Sequence, residues 1–262
     1  MSDTVLLDVT GSVATITLNR PEGLNSLTVE AKVALNDAVR AVAADARVRA
    51  LVLTGSGRAF CVGQDLREHA ALLEARDPAP LSTVTEHYNP LITTLAALPF
   101  PTIAAINGTA AGAGLGIACA LDLRIGAAGA RYTTAFAGIG LTADSGLSWS
   151  LPRLIGAGRA AALLLLAEPF TAEQALEMGM VNMVVPPEQV LAVATELAQK
   201  LAAGPTAAYA CIKQSVAFAA DSTLVDALAK EDELQTRAGH TTDHHNAVRS
   251  FLAKEPPVFE GR

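Results

Sequence analysis

Cysteine is scarce. Only Cys61, Cys119 and Cys211 occur in 262 residues, far apart and without a CxxC pair. Such spacing excludes a disulfide framework and points to a reducing cytosol, so a cytoplasmic protein is expected. Aromatic residues make up only 4% and charged residues 17%, against 51% hydrophobic. A disordered chain, which needs the opposite balance, is thereby excluded. Bases do not predominate: 19 Lys and Arg face 26 Asp and Glu, for a net charge of −7. The bulk positive field of a nucleic-acid binder is missing, and no nucleic-acid partner is expected.

Long hydrophobic runs are missing too. The longest strictly apolar run, residues 160–167, has 8 members, too few to span a bilayer. Residues 99–121 carry no charge, but Pro101, Asn107, Gly108, Gly112, Gly114 and Gly116 make them read as strand–turn–helix. The opening Met1-Ser2-Asp3-Thr4 has neither the basic region nor the apolar stretch of a signal peptide. No association with a membrane is expected. No GxSxG elbow, phosphate loop or HExxH pattern occurs, and His69, His87, His240, His244 and His245 have no metal-ligand spacing, so no metal is expected.

One absence is local. Residues 87–167 hold only two carboxylates, Asp122 and Asp144. An even spread of the 26 acids would place about eight there. Arg124, Arg131, Arg153 and Arg159 lie in the same stretch. A buried core segment or the site of an anionic ligand would give this pattern.

What is present alternates between strand and helix. Residues 5–9 and 12–18 are β-rich runs joined at Thr10-Gly11, a hairpin signal. Thr28 suits an N-cap, and Val29, Val33, Leu35, Val39 and Val42 recur at helical spacing to about residue 43. Strands are expected at 48–54, 101–106, 122–125, 131–136 and 181–185. Residues 66–90 are polar, contain Pro78 and Pro80, and read as a flexible loop or broken helix. Helices are expected from the Gly-rich stretch 110–120 and over 146–155, 158–167, 171–178, 187–203 and, with breaks, 205–255. The pattern predicts an α/β body of about 200 residues with a helical tail and no visible internal repeat.

Three places could carry chemistry. The glycines of 106–116 permit close backbone approach, and a helix starting there would offer free N–H groups and a positive dipole end to negative charge. Tight helix packing explains the same residues. GAGLG is not GxGxxG, and no acid follows at the dinucleotide-binding distance. Residues 57–66 end a strand and could offer a second N–H, or serve as a loop in which Asp65 caps a helix. Cys61, set among apolar residues, reads as inert packing. Asp144 is either a general base, its acidity weakened by apolar surroundings, or it or Ser145 caps the helix beginning near Gly146. Asp122 reads as a structural turn residue.

The segments LNRPEGLNSL (18–27), ALVLTGSGRAFCVGQDL (50–66), PTIAAINGTAAGAGLGIACALDLRI (101–125), FTAEQALEMGMVNMVV (170–185) and VRSFLAKEPPVFEGR (248–262) resemble, in this order, the enoyl-CoA hydratase/isomerase (crotonase) superfamily along nearly the whole chain. The resemblance implies a crotonase-like spiral of ββα repeats over 1–200, with a C-terminal helical region, 201–262, used to form a homotrimer or a dimer of trimers. It implies an acyl-CoA substrate and no separate cofactor, coenzyme A being part of the substrate. By position, the backbone N–H groups of Gln64 and Ala113 become the oxyanion hole. Glu22, Leu24 and Asn25 become coenzyme A contacts, joined by Lys213 and by Phe251 and Lys254, the last two from a neighbouring subunit.

The two glutamates by which the family's hydratases hold water correspond to Gly116 and Phe136. Asp144 falls where its isomerases keep their single acid, with Ala143 in place of the usual proline. Residues 139–156 look like the corresponding segment of the single-acid enoyl-CoA isomerases, and more closely that of the ring-rearranging isomerase of phenylacetate breakdown. The expectation is an isomerase that shifts a carbon–carbon double bond, with Asp144 as acid and base. The alternatives are an enoyl-CoA hydratase and a binder of acyl-CoA without turnover. Residues 66–90 and Trp149 are expected to shape the acyl pocket.

Overall fold

A computed structural model describes residues 3–262. Strand β1 (Val5–Thr10) turns at Gly11 into the antiparallel β2 (Val13–Leu18). Helix α1 (Val29–Ala44) starts at Thr28, whose hydroxyl accepts from Ala31 N–H. Its buried stripe differs from the expected one. Val29 and Val33 are exposed, and the inward face is Ala31, Lys32, Leu35, Asn36, Val39 and Val42. Packing therefore selected a face that includes a lysine and an asparagine.

The body is then built by repetition. Strand β3 (Ala50–Gly55) is followed by β4 (Ala59–Cys61), β5 (Thr102–Ile106) by β6 (Thr109–Ala111), and β7 (Leu123–Ala127) by β8 (Arg131–Thr133). The first strand of each pair joins a large sheet, ordered β1-β2-β3-β5-β7-β10, where β10 is Met183–Val185. The second joins a small sheet ordered β4-β6-β8-β9, where β9 is Phe170–Thr171. Apart from β1–β2 and β8–β9 every pairing is parallel. Helices α2 (Leu66–Glu74) and α3 (Asn89–Ala97) follow the first pair, α4 (Ala113–Ala120) the second and α5 (Leu147–Ile155) the third. This is the expected α/β spiral of ββα turns, although no repeat is visible in the residues themselves.

The central strands β3 and β5 of the large sheet are buried on both faces, which is why they read as continuous apolar runs. Leu51 and Leu53 of β3 face the main core, whereas Ala50 and Val52 face a second cluster. Helix α8 (Val190–Ala202) covers that side with Val190, Ala194, Ala198 and Ala202, spaced by four. Three alanines on the contact face let the helix lie close to the sheet. Helices α6 (Ala157–Leu166) and α7 (Ala172–Met178) extend the body, and α9 (Thr206–Ala219), α10 (Leu224–Gly239) and α11 (Thr242–Ala253) form the C-terminal helical region. Among the described residues no helix is long and apolar enough to cross a membrane.

Of the two readings for residues 66–90, a flexible loop or a broken helix, the structure shows the broken helix. Asp65 caps α2 by accepting from Arg67 and Glu68 N–H, and a π-helical turn, Val84–Tyr88, leads into α3. Asp122 is structural, as expected: it accepts from Thr102 N–H and hydroxyl at 2.8 Å each.

Candidate active site

A cavity of about 510 Å³ opens where the ends of the two sheets meet α2 and the loop before α5. Gln64, Gly112, Ala113 and Asp144 line it with the apolar side chains of Leu66, Leu81, Val84, Tyr88, Phe136, Ile139 and Leu141. Arg20, Glu22, Arg67 and His69 supply its polar edge.

The two backbone donors come from neighbouring turns of the spiral. Gln64 bridges Leu27 in parallel register, with Leu27 N–H donating to Gly63 O and Asp65 N–H to Leu27 O. In such a bridge the N–H of Gln64 points away from the partner, here toward the cavity it lines. Ala113 opens α4, where the first N–H groups have no partner within the helix and the dipole favours negative charge. Gly63 brings these two chains together. Its φ is +85°, and a Cβ there would stand 2.9 Å from Ala111 O and 3.1 Å from Ala113 N. No residue with a side chain permits that approach.

Three carboxylates line the cavity: Glu22 at its edge, Asp65, which is held by the Ser26 hydroxyl and Arg20, and Asp144 on the loop before α5. For Asp144 the sequence left open a base or a helix cap; its side chain does not cap α5, which begins after Gly146 without a side-chain cap. One carboxylate oxygen instead accepts from the Ser145 hydroxyl at 2.8 Å. Burial pushes the Asp144 carboxyl above the usual aspartate range, opposed by the Ser145 hydrogen bond and the positive charge of Lys32. Cys61 lies fully buried with its thiol pushed up to about 12 by desolvation, so it is inert.

The family model described as "Enoyl-CoA hydratase/isomerase" matches residues 8–262. The chain belongs to the enoyl-CoA hydratase/isomerase family. The 1,2-epoxyphenylacetyl-CoA isomerase of Escherichia coli K12 is 42% identical to it over 264 residues, covering 100% of both chains. A short-chain-enoyl-CoA hydratase of Clostridium acetobutylicum is 33% identical over 95% of each. A solved structure from Mycobacterium abscessus, named for the same family, superimposes with a TM-score of 0.96 at 46% identity, covering 98% of this chain and 100% of that one.

Of the residues expected at the site of an enoyl-CoA hydratase/isomerase, Gln64, Ala113, Asp144 and Glu22 line the cavity. Leu24 and Asn25 do not. Asn25 is buried and ties loops together, its amide donating to Ser56 O and Ala59 O and its carbonyl accepting from Arg20 N–H. Lys213 is drawn elsewhere, to Asp122 at 2.7 Å and Phe100 O at 3.0 Å. Phe251 and Lys254 stand exposed at the end of α11, apart from the cavity of their own chain. Trp149, expected in the acyl pocket, is instead half exposed under the Arg153 guanidinium, 4.0 Å from the ring. Residues 66–90 do contribute, through Leu66, Leu81, Val84 and Tyr88.

Neither hydratase position holds an acid. Phe136 lines the cavity, and Gly116 packs against Ser145. Sequence reasoning missed Lys32, Thr83 and Tyr88. The side-chain oxygen of Gln64 accepts from Tyr88 OH at 2.6 Å and Lys32 Nζ at 3.1 Å, and Lys32 also donates to Thr83 Oγ1 at 2.6 Å. The available signal was Lys32 and Asn36, four apart and in line with Leu35, Val39 and Val42.

Proposed function

We propose that the protein is an acyl-CoA isomerase that shifts a carbon–carbon double bond, using Asp144 as its single acid and base. The observation that carries this reading is Asp144. It is a carboxylate in a largely apolar cavity beside the Gln64 and Ala113 N–H groups, with no second acid at Gly116 or Phe136. A hydratase needs groups that hold and activate water, whereas a double-bond shift needs one base that takes a proton and gives it back.

Asp144 removes a proton from the carbon α or γ to the thioester carbonyl. The electron pair moves into the conjugated system and places charge on the thioester oxygen, which the Gln64 and Ala113 N–H groups stabilise. The protonated Asp144 then returns the proton to the other carbon, and the double bond has moved. Loss of one such donor costs about 3–4 kcal/mol of barrier, so the close approach at Gly63 matters. Burial makes Asp144 a stronger base than an exposed aspartate. Coenzyme A enters as part of the substrate and no separate cofactor takes part. The cationic rim residues Arg20 and Arg67 suit its phosphates. Leu165, Leu166, Leu224, Val225, Phe251 and Leu252 are exposed on the later helices, which supports association with further copies of the chain, as in a homotrimer or a dimer of trimers.

A 3-enoyl-CoA should be converted to the 2-enoyl form, and Asp144→Asn should abolish the conversion while leaving binding of the thioester intact. Unchanged turnover in Asp144→Asn, or hydration of crotonyl-CoA (seen as loss of its ultraviolet absorbance) outpacing the double-bond shift, would overturn the proposal. Binding with no product from any unsaturated thioester would make the protein a binder.

A further inference from the structure

Lys32 is a buried cation, 1% exposed, and among the described residues no carboxylate lies within ion-pair distance of it. An ammonium so placed is costly unless its surroundings repay it. Its partners are Gln64 Oε1, Thr83 Oγ1 and, at 5.4 Å, the Tyr88 ring. All three belong to the cavity wall. The Gln64 side chain is thus held from two sides, by Lys32 and Tyr88, while its backbone N–H serves the cavity. Gln64 and Asp144 line the same cavity, so the Lys32 ammonium, bonded to Gln64, stands behind a wall that Asp144 shares. Burial holds Lys32 below the ordinary lysine range, and the negative charges of Glu68, Asp144, Asp65 and Glu86 oppose that.

We propose that Lys32 is a positioning residue for this site: its ammonium holds Gln64 in place and keeps a positive charge behind both Asp144 and the thioester oxygen. The role rests on the isomerase reading, in which the negative charge leaves Asp144 when it takes the proton and appears on the thioester oxygen. A cation beside both positions keeps the anionic site balanced throughout, without touching the substrate.

Other groups share this field. Asp65 and Glu68 at the start of α2 and Glu86 on the π-helical turn act on Lys32, and the ring nitrogen of His87 lies 3.2 Å from Thr83 Oγ1. Tyr88, on the same turn, lines the cavity with Asp144. Arg20, Glu22, Arg67 and His69 line the rim, and α3 carries no ionisable side chain. None of these replaces Lys32 as a cation hydrogen-bonded to Gln64.

The test is Lys32→Met, which keeps the length of the side chain and removes the charge, beside Lys32→Arg, which keeps the charge. Two readouts separate positioning from mere structure. The first is the kcat and KM split on a 3-enoyl-CoA. The second is the titration midpoint of the Asp144 carboxyl, read from the infrared difference between each protein and its Asp144→Asn counterpart. Lys32→Met should melt no lower than the parent, lose at least about tenfold in kcat with KM changed little, and raise the Asp144 midpoint by about half a pH unit or more. A folded Lys32→Met with parental kcat and midpoint overturns the proposal. Should that variant fail to fold, Lys32→Arg decides: a parental midpoint supports the role of the charge, and a raised one overturns it. The infrared midpoint needs no turnover, so a raised midpoint in a protein without isomerase activity would sink the isomerase reading and leave the Lys32–Asp144 coupling standing.

Discussion

Gly116 and Ser145 meet so closely that a Cβ on the glycine would lie 2.8 Å from both the Cβ and the carbonyl oxygen of Ser145. Ser145 is fully buried, with φ at +52°, and its hydroxyl donates to Asp144. The loop that presents the acid therefore occupies the space a side chain at position 116 would need.

The first prediction follows from that contact. Gly116→Glu should not create a hydratase, because the side chain has to displace the Asp144 loop before it can reach the cavity. Gly116→Ala already forces a backbone shift and should destabilise by about 1–3 kcal/mol, with kcat falling as Asp144 moves. Thermal melts and 3-enoyl-CoA turnover of the two variants check this, and a Gly116→Glu protein that melts like the parent and hydrates crotonyl-CoA would refute it.

Asp144 should reveal itself through pH. In the proposed mechanism Asp144 must be ionised to act as the base, so kcat/KM should fall as pH drops through a midpoint above 3.8, the ordinary aspartate value. A pH–rate profile, with Asp144→Asn as the inactive reference, measures that limb. The variant should lose about 10²–10⁴-fold in kcat.

The same burial has a consequence for stability. Asp144 binds its proton more tightly in the folded chain than in the unfolded one, because desolvation raises its pKa. Its stabilising contribution is present below the unfolded pKa and is lost as pH rises through the folded one. Asn carries no charge to desolvate. Asp144→Asn should therefore melt at or above the parent near pH 7, and the difference should shrink as pH is lowered through the Asp144 midpoint. Melts at several pH values decide this; a variant less stable at pH 7 than at low pH, relative to the parent, contradicts it.

Gly63 tests the proposed oxyanion hole without touching Asp144. Gly63→Ala places a Cβ 2.9 Å from Ala111 O at a φ of +85°. Strain of this kind costs about 1–3 kcal/mol, and the two donors should be pushed apart. The effect on kcat should exceed that on KM, because the donors act on charge that develops in the transition state. Equal loss in both constants would point to damage elsewhere.

Asn25 offers a contrast between structure and chemistry. Asn25→Ala leaves Ser56 O and the buried Ala59 O without its amide and removes the acceptor of Arg20 N–H. The expected loss is about 1–3 kcal/mol of stability, seen as a lower Tm. Where the variant is folded, its affinity for an acyl-CoA should be close to that of the parent.

Much of the fold is legible in the residues because the central strands of the large sheet are buried on both faces. Runs such as 50–55 and 102–106 read as strands without any tertiary knowledge. Local chemistry likewise marks Thr28 and Asp65 as caps. The small sheet is less legible, since β4, β6 and β8 have three residues each and draw their pairing from other turns of the spiral. Helix α1 shows the limit of periodicity. Two phases of the pattern are apolar, and only packing against the body decided that Lys32 and Asn36 go inward while Val29 and Val33 stay out.

By itself the sequence determined a chain poor in cysteine and, in its middle, in acids, with two carboxylates left there, Asp122 and Asp144, and a glycine-rich helix start at 110–120. Residue identity and order suffice for that much, and they are enough to place the chain in its family. Tertiary structure alone decided which groups meet. The close approach at Gly63 brings the segments of Gln64 and Ala113 together, the Asp144 side chain leaves its helix uncapped and lines the cavity, and Lys32 arrives behind Gln64 from another helix. Such contacts depend on distances between segments far apart in the chain, and no local pattern of residues encodes a distance of that kind.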